Sequence, residues 1–227
     1  MTYEESLRRL KEAIDRIKAN PSVRRMPRIR TAEPTPPAIT KSRRQPIKAI
    51  PTEYKGIRFR SRLEARWARM FDLMNWQWDY EPLDMEGYIP DFVVRFEYAP
   101  MLAEIKPAMT IQELAPLTDK IDRSGWTREV MLLGATVFMH GKCTMPCPGI
   151  IRVGDVGDSK SYGWTDCIMH HCDACGYNSI HGTRSVYCRN CGVESNAENE
   201  WKHAHFNDED ITEMWNRAGN AVQWRIA

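Results

Sequence analysis

At 227 residues the chain is long enough to bury a sizeable core in one or two domains, and no apolar stretch approaches the roughly 20 residues that a membrane span needs. No secretory signal pattern opens it, so a cytoplasmic setting is expected; seven cysteines, four of them in two Cys-x-x-Cys pairs, then favour metal ligation over disulfides. The net charge of +2 hides an asymmetry: residues 1–60 hold 16 Lys/Arg against 6 Asp/Glu, and the remainder 16 against 24. That balance suits a polyanion-binding arm beside a carboxylate-rich body.

Residues 1–19 predict an N-terminal amphipathic helix. Thr2 and Glu5 have capping-box spacing, and Leu7, Leu10, Ile14 and Ile17 form one apolar stripe. Such a stripe must pack on the chain's own body, on a second copy as a homodimer, or on a protein partner. Residues 20–52 are a basic linker holding seven of the 14 prolines, extended rather than regular. Its Arg24, Arg25, Arg28, Arg30, Arg43 and Arg44, with Arg60 and Arg62 just beyond, are the candidate contacts to a nucleic-acid backbone. A solvated tether is the plainer alternative.

Residues 53–150 carry the core. Leu63, Trp67, Met70, Phe71 and Met74 share one face of a helix over 61–74. Ser61 and Glu64 have capping-box spacing, so Glu64 has a purely local role open to it. Strands follow over Trp76–Pro82, Ile89–Phe96 and Met101–Lys106, then a helix over Thr110–Asp122 and a strand over Glu129–Phe138 interrupted by Gly134. The order is α-β-β-β-α-β, and its last strand–helix–strand unit predicts a right-handed parallel crossover, hence an α/β core.

The chemistry concentrates within this segment. A strand's period of two puts Glu104 and Lys106 on one face, and Asp91 stands at the mouth of the neighbouring strand. Two carboxylates and an ammonium converging there would hold a divalent cation and activate a water, which makes phosphodiester hydrolysis the leading idea. Each residue alone has a plainer use, Asp91 as a turn cap and Glu104–Lys106 as a surface ion pair.

Four pieces occur in order: Phe59-Arg60-Ser61-Arg62-Leu63-Glu64-Ala65-Arg66-Trp67, Tyr80-Glu81-Pro82, Pro90-Asp91-Phe92 and Glu104-Ile105-Lys106-Pro107. Together they resemble the PD-(D/E)xK nuclease superfamily, with its restriction-endonuclease-like fold, and in particular its phage-encoded and transposase-associated members. The resemblance covers roughly residues 54–138 and implies an αβββαβ core, a mixed sheet flanked by helices. It implies that Asp91 and Glu104 bind Mg²⁺ or Mn²⁺, that Glu64 completes that site, and that Lys106 orients the attacking water. It further implies DNA as substrate, with a 5′-phosphate and a 3′-hydroxyl as products.

Residues 151–200 hold Cys172-Asp173-Ala174-Cys175-Gly176 and Cys188-Arg189-Asn190-Cys191-Gly192, a Cys-x2-Cys-x12-Cys-x2-Cys pattern that resembles a zinc ribbon. Two tight turns present four thiolates to one tetrahedral Zn²⁺ and leave no open position, so the metal is structural. Tyr177, Arg184, Tyr187 and Arg189 either grip nucleic acid or pack the ribbon, and the ribbon is a second candidate surface for a protein partner. Cys143, Cys147 and Cys167 are expected as reduced thiols, a second metal site being the rarer alternative. Residues 201–227 predict a C-terminal helix with Ile211, Met214, Trp215, Ala218 and Val222 on its apolar face, docking on ribbon or core. The tail from Trp215 to Trp224 also resembles small phage-encoded zinc-ribbon proteins.

The expectation is therefore a metal-dependent DNA endonuclease with a basic arm and a zinc ribbon, serving phage recombination, replication or host-DNA breakdown in a bacterial cytoplasm. Two rivals stand beside it: a catalytically silent nucleic-acid-binding adaptor, and a nuclease subunit active only within a larger, transposase-like complex.

Overall fold

The computed structural model describes residues 49–85, 88–97, 100–124, 126, 128–140, 145–153, 163–183, 187–194, 203–206 and 208–223, together with Arg8 and Glu12. The N-terminal helix beyond those two residues, the basic linker before Ala49, and Cys143, Arg184 and Trp224 lie outside them. No helix among the described residues is long and apolar enough to cross a membrane.

A short hairpin of β1 (Thr52–Tyr54) and β2 (Ile57–Phe59) leads into helix α1 (Arg62–Leu73). Lys55 and Gly56 take φ of 50° and 74° at the hairpin's turn, as a tight two-residue loop requires. Ser61 caps α1 from an extended backbone, its hydroxyl accepting the Glu64 N–H at 3.2 Å. Trp67, Met70 and Phe71 are fully buried on the helix's inner face, as their spacing predicts.

The sheet is mixed and eight-stranded. Strands β3 (Gln77–Tyr80), β4 (Phe92–Arg95), β5 (Met101–Ile105), β6 (Val130–His140), β7 (Met145–Val153), β8 (Gly163–Cys172) and β10 (His203–His205) lie in the order β10-β8-β7-β6-β5-β4-β3, while β9 (Asn178–Gly182) pairs β8. Among the described residues only β5 and β6 run parallel, with Glu104 opposite Leu132; the other pairs are antiparallel. The expected helix between β5 and β6 is broken into α2 (Ile111–Leu114), a 3₁₀ turn (Ala115–Leu117) and α3 (Asp119–Arg123). Pro116 cannot donate the hydrogen bond a continuous helix needs there. Phe92, Val94, Met101 and Ala103 point to the face covered by α1 and by α4 (Asp208–Ala221). Val93 and Leu102 point to the other, under Leu114 and Ile121.

The sheet crosses residue 150 without a break, because that residue lies inside β7 and Gly149–Val153 pair with Cys167–Gly163 of β8. The cysteine module is thus an extension of the core sheet through β8 and β9. Helix α4 docks on α1: the Trp67 and Trp215 rings stand 4.8 Å apart, and Arg66 donates to the Trp215 carbonyl at 2.7 and 3.1 Å while stacking on its ring.

Candidate active site and metal centre

Glu104 and Lys106 meet as the strand period requires, Lys106 Nζ bonding Glu104 Oε1. Asp91 reaches them from the next strand. The β4–β5 ladder pairs Phe92 with Ala103, and one step further Asp91 Oδ2 accepts the Ile105 N–H at 2.7 Å. Asp91 and Glu104 are only 3% and 4% exposed. Burial first, then the charge of Glu104, push the Asp91 carboxyl up to about 7, against the Ile105 N–H and Lys106, which pull it down. Tyr88 is buried against the same pair, and burial followed by Glu104 and Asp91 raises its phenol. Glu104 Oε2 is buried with no hydrogen-bond partner.

Glu64 serves two ends at once. It takes the Ser61 hydroxyl at 2.8 Å and the Arg60 N–H at 3.2 Å, the local capping role. Its Oε2 also accepts the Tyr80 hydroxyl at 2.6 Å, which ties the start of α1 to the end of β3. Arg60 joins this corner to Asp91. One guanidinium nitrogen lies 2.5 Å from Asp91 Oδ1 and 2.8 Å from Glu81 Oε1, and Nε lies 4.0 Å from Glu64 Oε2. Burial works to lower the Arg60 pKa, but Tyr80 and the three carboxylates outweigh it and raise it.

Arg60, expected as a DNA contact, thus sits within the acidic cluster, and Arg62 beside it is half-buried. Glu81 turns out of the strand at φ 45°, its N–H bonding the Asp91 carbonyl at 3.0 Å. The alternation of Trp76, Trp78 and Tyr80 with Gln77, Asp79 and Glu81 predicts Glu81 as a solvent-facing strand residue, a role at the metal site being the rarer alternative, and does not show this turn. A tyrosine at a strand end, with a polar tip to satisfy, was the one available signal.

The donor set is hard oxygen, the kind a divalent Mg²⁺ or Mn²⁺ takes, with the Tyr88 phenol and Lys106 both against the Glu104 carboxylate. Asp91, Glu104 and Glu64 thus offer the oxygen chemistry such an ion takes, but their oxygens are not drawn together as the cysteine sulfurs below are.

The second cluster is tighter. The sulfurs of Cys172, Cys175, Cys188 and Cys191 all lie within 4.8 Å of one another, and among the described residues this is the one group of His, Cys, Asp or Glu side chains gathered so closely. Gly176 and Gly192 follow each pair at φ 70° and 72°, where a side chain would be strained, and their N–H groups bond the Cys172 and Cys188 carbonyls at 2.7 and 2.8 Å. Four clustered thiols suit a structural zinc. Burial tends to raise Cys175, but the Tyr177 N–H and the Asn190 amide outweigh it and hold that thiol at about 7.

Arg189 is buried, which removes it from any phosphate. It spans Glu129 at 2.5 and 3.1 Å and bonds the Ile180 carbonyl at 2.8 Å, and Tyr187 also bonds Glu129, at 3.3 Å. Cys147 and Cys167 are fully buried, and burial followed by Cys147 raises the Cys167 thiol. No family model, curated protein or solved structure matches the chain.

Proposed function

We propose that the chain is a metal-dependent DNA endonuclease with a restriction-endonuclease-like core, which cuts phosphodiester bonds by water attack. One observation carries this reading: Asp91 and Glu104 lie buried at adjoining strand ends with Lys106 bonded to Glu104 and Glu64 linked to them through Arg60. Structural carboxylates are rarely buried side by side, because desolvation and mutual repulsion both penalise them.

A bound Mg²⁺ or Mn²⁺ would supply charge neutralisation and a water of lowered pKa. The chain's own residues do the rest. The Ile105 N–H fixes the Asp91 carboxylate, and Tyr80 and Ser61 fix that of Glu64. Lys106, 30% exposed, stands at the rim with positive charge for the developing phosphorane and a donor for the attacking water. The basic arm of residues 20–52 supplies the phosphate contacts, and the cysteine cluster holds a structural zinc.

Cleavage of supercoiled plasmid and labelled branched duplexes with Mg²⁺, Mn²⁺ or EDTA tests the reading. Metal-dependent cutting should fall ~10²–10³-fold in Asp91→Ala and Lys106→Ala at matched folding and zinc content, the scale of losing preorganised charge stabilisation. DNA binding without cutting by well-folded protein would turn the reading to the adaptor, and cutting restored by a partner to the subunit of a larger complex.

A further inference from the structure

We infer that Arg60 is the resident cation of the acidic site: it holds the carboxylates together in the metal-free protein and is exchanged for the divalent ion on loading. This rests on the proposed metal site and adds the control of its occupancy. Three carboxylates converge on one guanidinium, Asp91 at 2.5 Å, Glu81 at 2.8 Å and Glu64 at 4.0 Å. Without a cation, Asp91 beside Glu104 would face repulsion in a desolvated pocket. Arg60 relieves that from the Asp91 side, as Lys106 does from the Glu104 side.

The arrangement is reversible by construction. The Arg60 side chain is 57% exposed, so it enters the cluster from solvent and leaves without disturbing the core. Its backbone, by contrast, is pinned: the Arg60 N–H bonds both Glu64 Oε2 at 3.2 Å and the Tyr80 hydroxyl at 3.1 Å. Only the side chain is free to move. The oxygen it engages, Asp91 Oδ1, is the one the Ile105 N–H leaves open, since that N–H takes Oδ2. That same oxygen is the one Asp91 would have to offer a divalent ion, so metal and guanidinium would compete for it. Glu104 Oε2, buried beside Tyr88, lies beyond Arg60 and would give the ion an oxygen the guanidinium does not use.

Competition lowers apparent metal affinity by the fraction of molecules in which the latch is open. The test is Mn²⁺ titration of zinc-loaded protein by electron paramagnetic resonance, comparing wild type with Arg60→Gln, Arg60→Lys and, as a site control, Asp91→Asn. Circular dichroism verifies the fold of each. Arg60→Gln should bind Mn²⁺ about tenfold more tightly, the gain expected for a latch closed about nine-tenths of the time. Arg60→Lys should fall between, because an ammonium keeps the charge but loses the planar fork. Without Mn²⁺, Arg60→Gln should melt below wild type, and saturation with Mn²⁺ should close that gap. Equal or weaker binding in folded Arg60→Gln, with wild-type binding still lost in Asp91→Asn, would overturn the exchange while leaving the metal site standing. No Mn²⁺ binding in either wild type or Arg60→Gln would overturn the exchange and the metal-dependent reading together.

Discussion

Asp91 combines burial and a neighbouring carboxylate with the Ile105 N–H, Lys106 and the Arg60 guanidinium at 2.5 Å, and these forces have opposite signs. Burial and Glu104 prevail and place its carboxyl at about 7, well above the ~3.9 of an unfolded aspartate. The folded protein therefore holds that proton more tightly than the unfolded chain does. The resulting stability is fully present below about pH 4 and is lost as pH rises through about 7. Metal-free wild type should thus lose stability relative to Asp91→Asn between about pH 5 and pH 8, read from urea unfolding at both values. Metal uptake has the reverse dependence, because the ligand must be deprotonated: Mn²⁺ affinity should rise with pH through about 7. At this scale the sequence shows Asp91, Glu104 and Lys106 because a strand's period of two is rigid enough to align them. Arg60, Tyr80 and Glu81 escape it, since their meeting depends on the φ of 45° at Glu81 and on the approach of α1's start to β3's end.

Strands β6 and β7 show how far element-level signals extend. Gly134 was expected to interrupt β6, and the register does shift between Leu133 and Phe138, but the strand continues to His140. The glycine serves close approach: its carbonyl takes the Trp67 indole N–H at 2.8 Å, and a Cβ there would lie 2.5 Å from the Phe138 ring. Gly149, opposite Leu133, is tighter, for a Cβ would sit 2.1 Å from the Leu132 carbonyl oxygen. A ring can swing aside, whereas paired backbone cannot. Gly149→Ala should therefore cost about 3 kcal/mol or more and Gly134→Ala about 1–2 kcal/mol in chemical denaturation, overpacking being the cause in both. β7 itself was illegible because Pro146 and Pro148 argue against a strand inside a sheet. Both precede Gly149, where pairing with β8 begins, so neither occupies a position that needs donors to two neighbours. The helices and the β3–β6 strands were legible because caps and apolar periods agree there. Pro116 was visible too, yet the apolar pattern on either side of it suggested one continuous helix.

At the scale of the whole chain, the cysteine module and the core are one body, and Glu129 is the hinge pin between them. It lies just before β6 and receives Arg189 from the second knuckle, where Arg189 is 4% exposed. Removing the carboxylate strands a buried guanidinium, so Glu129→Ala should cost about 2–4 kcal/mol, and the added change Arg189→Met should recover much of it. The first knuckle is joined as firmly: the Trp76 indole N–H bonds the Asn178 carbonyl at 2.6 Å, and β8 pairs with β7 over five residues. Such coupling means that a zinc held by the four cysteines would not stabilise a detachable appendage. Its binding free energy, on the order of 10 kcal/mol in zinc-finger peptides, would be shared with the sheet that carries the acidic site. Stripping zinc should then lower the melting temperature of the entire chain in a single calorimetric transition. At about 2–4 °C for each kcal/mol lost in a chain of this size, the drop should be on the order of 10 °C or more. A separable ribbon would behave otherwise, leaving a core transition at its original temperature, and that result would show that the ladder between β7 and β8 transmits nothing. Cys175→Ser reads out the same coupling without a chelator and should lower the same transition.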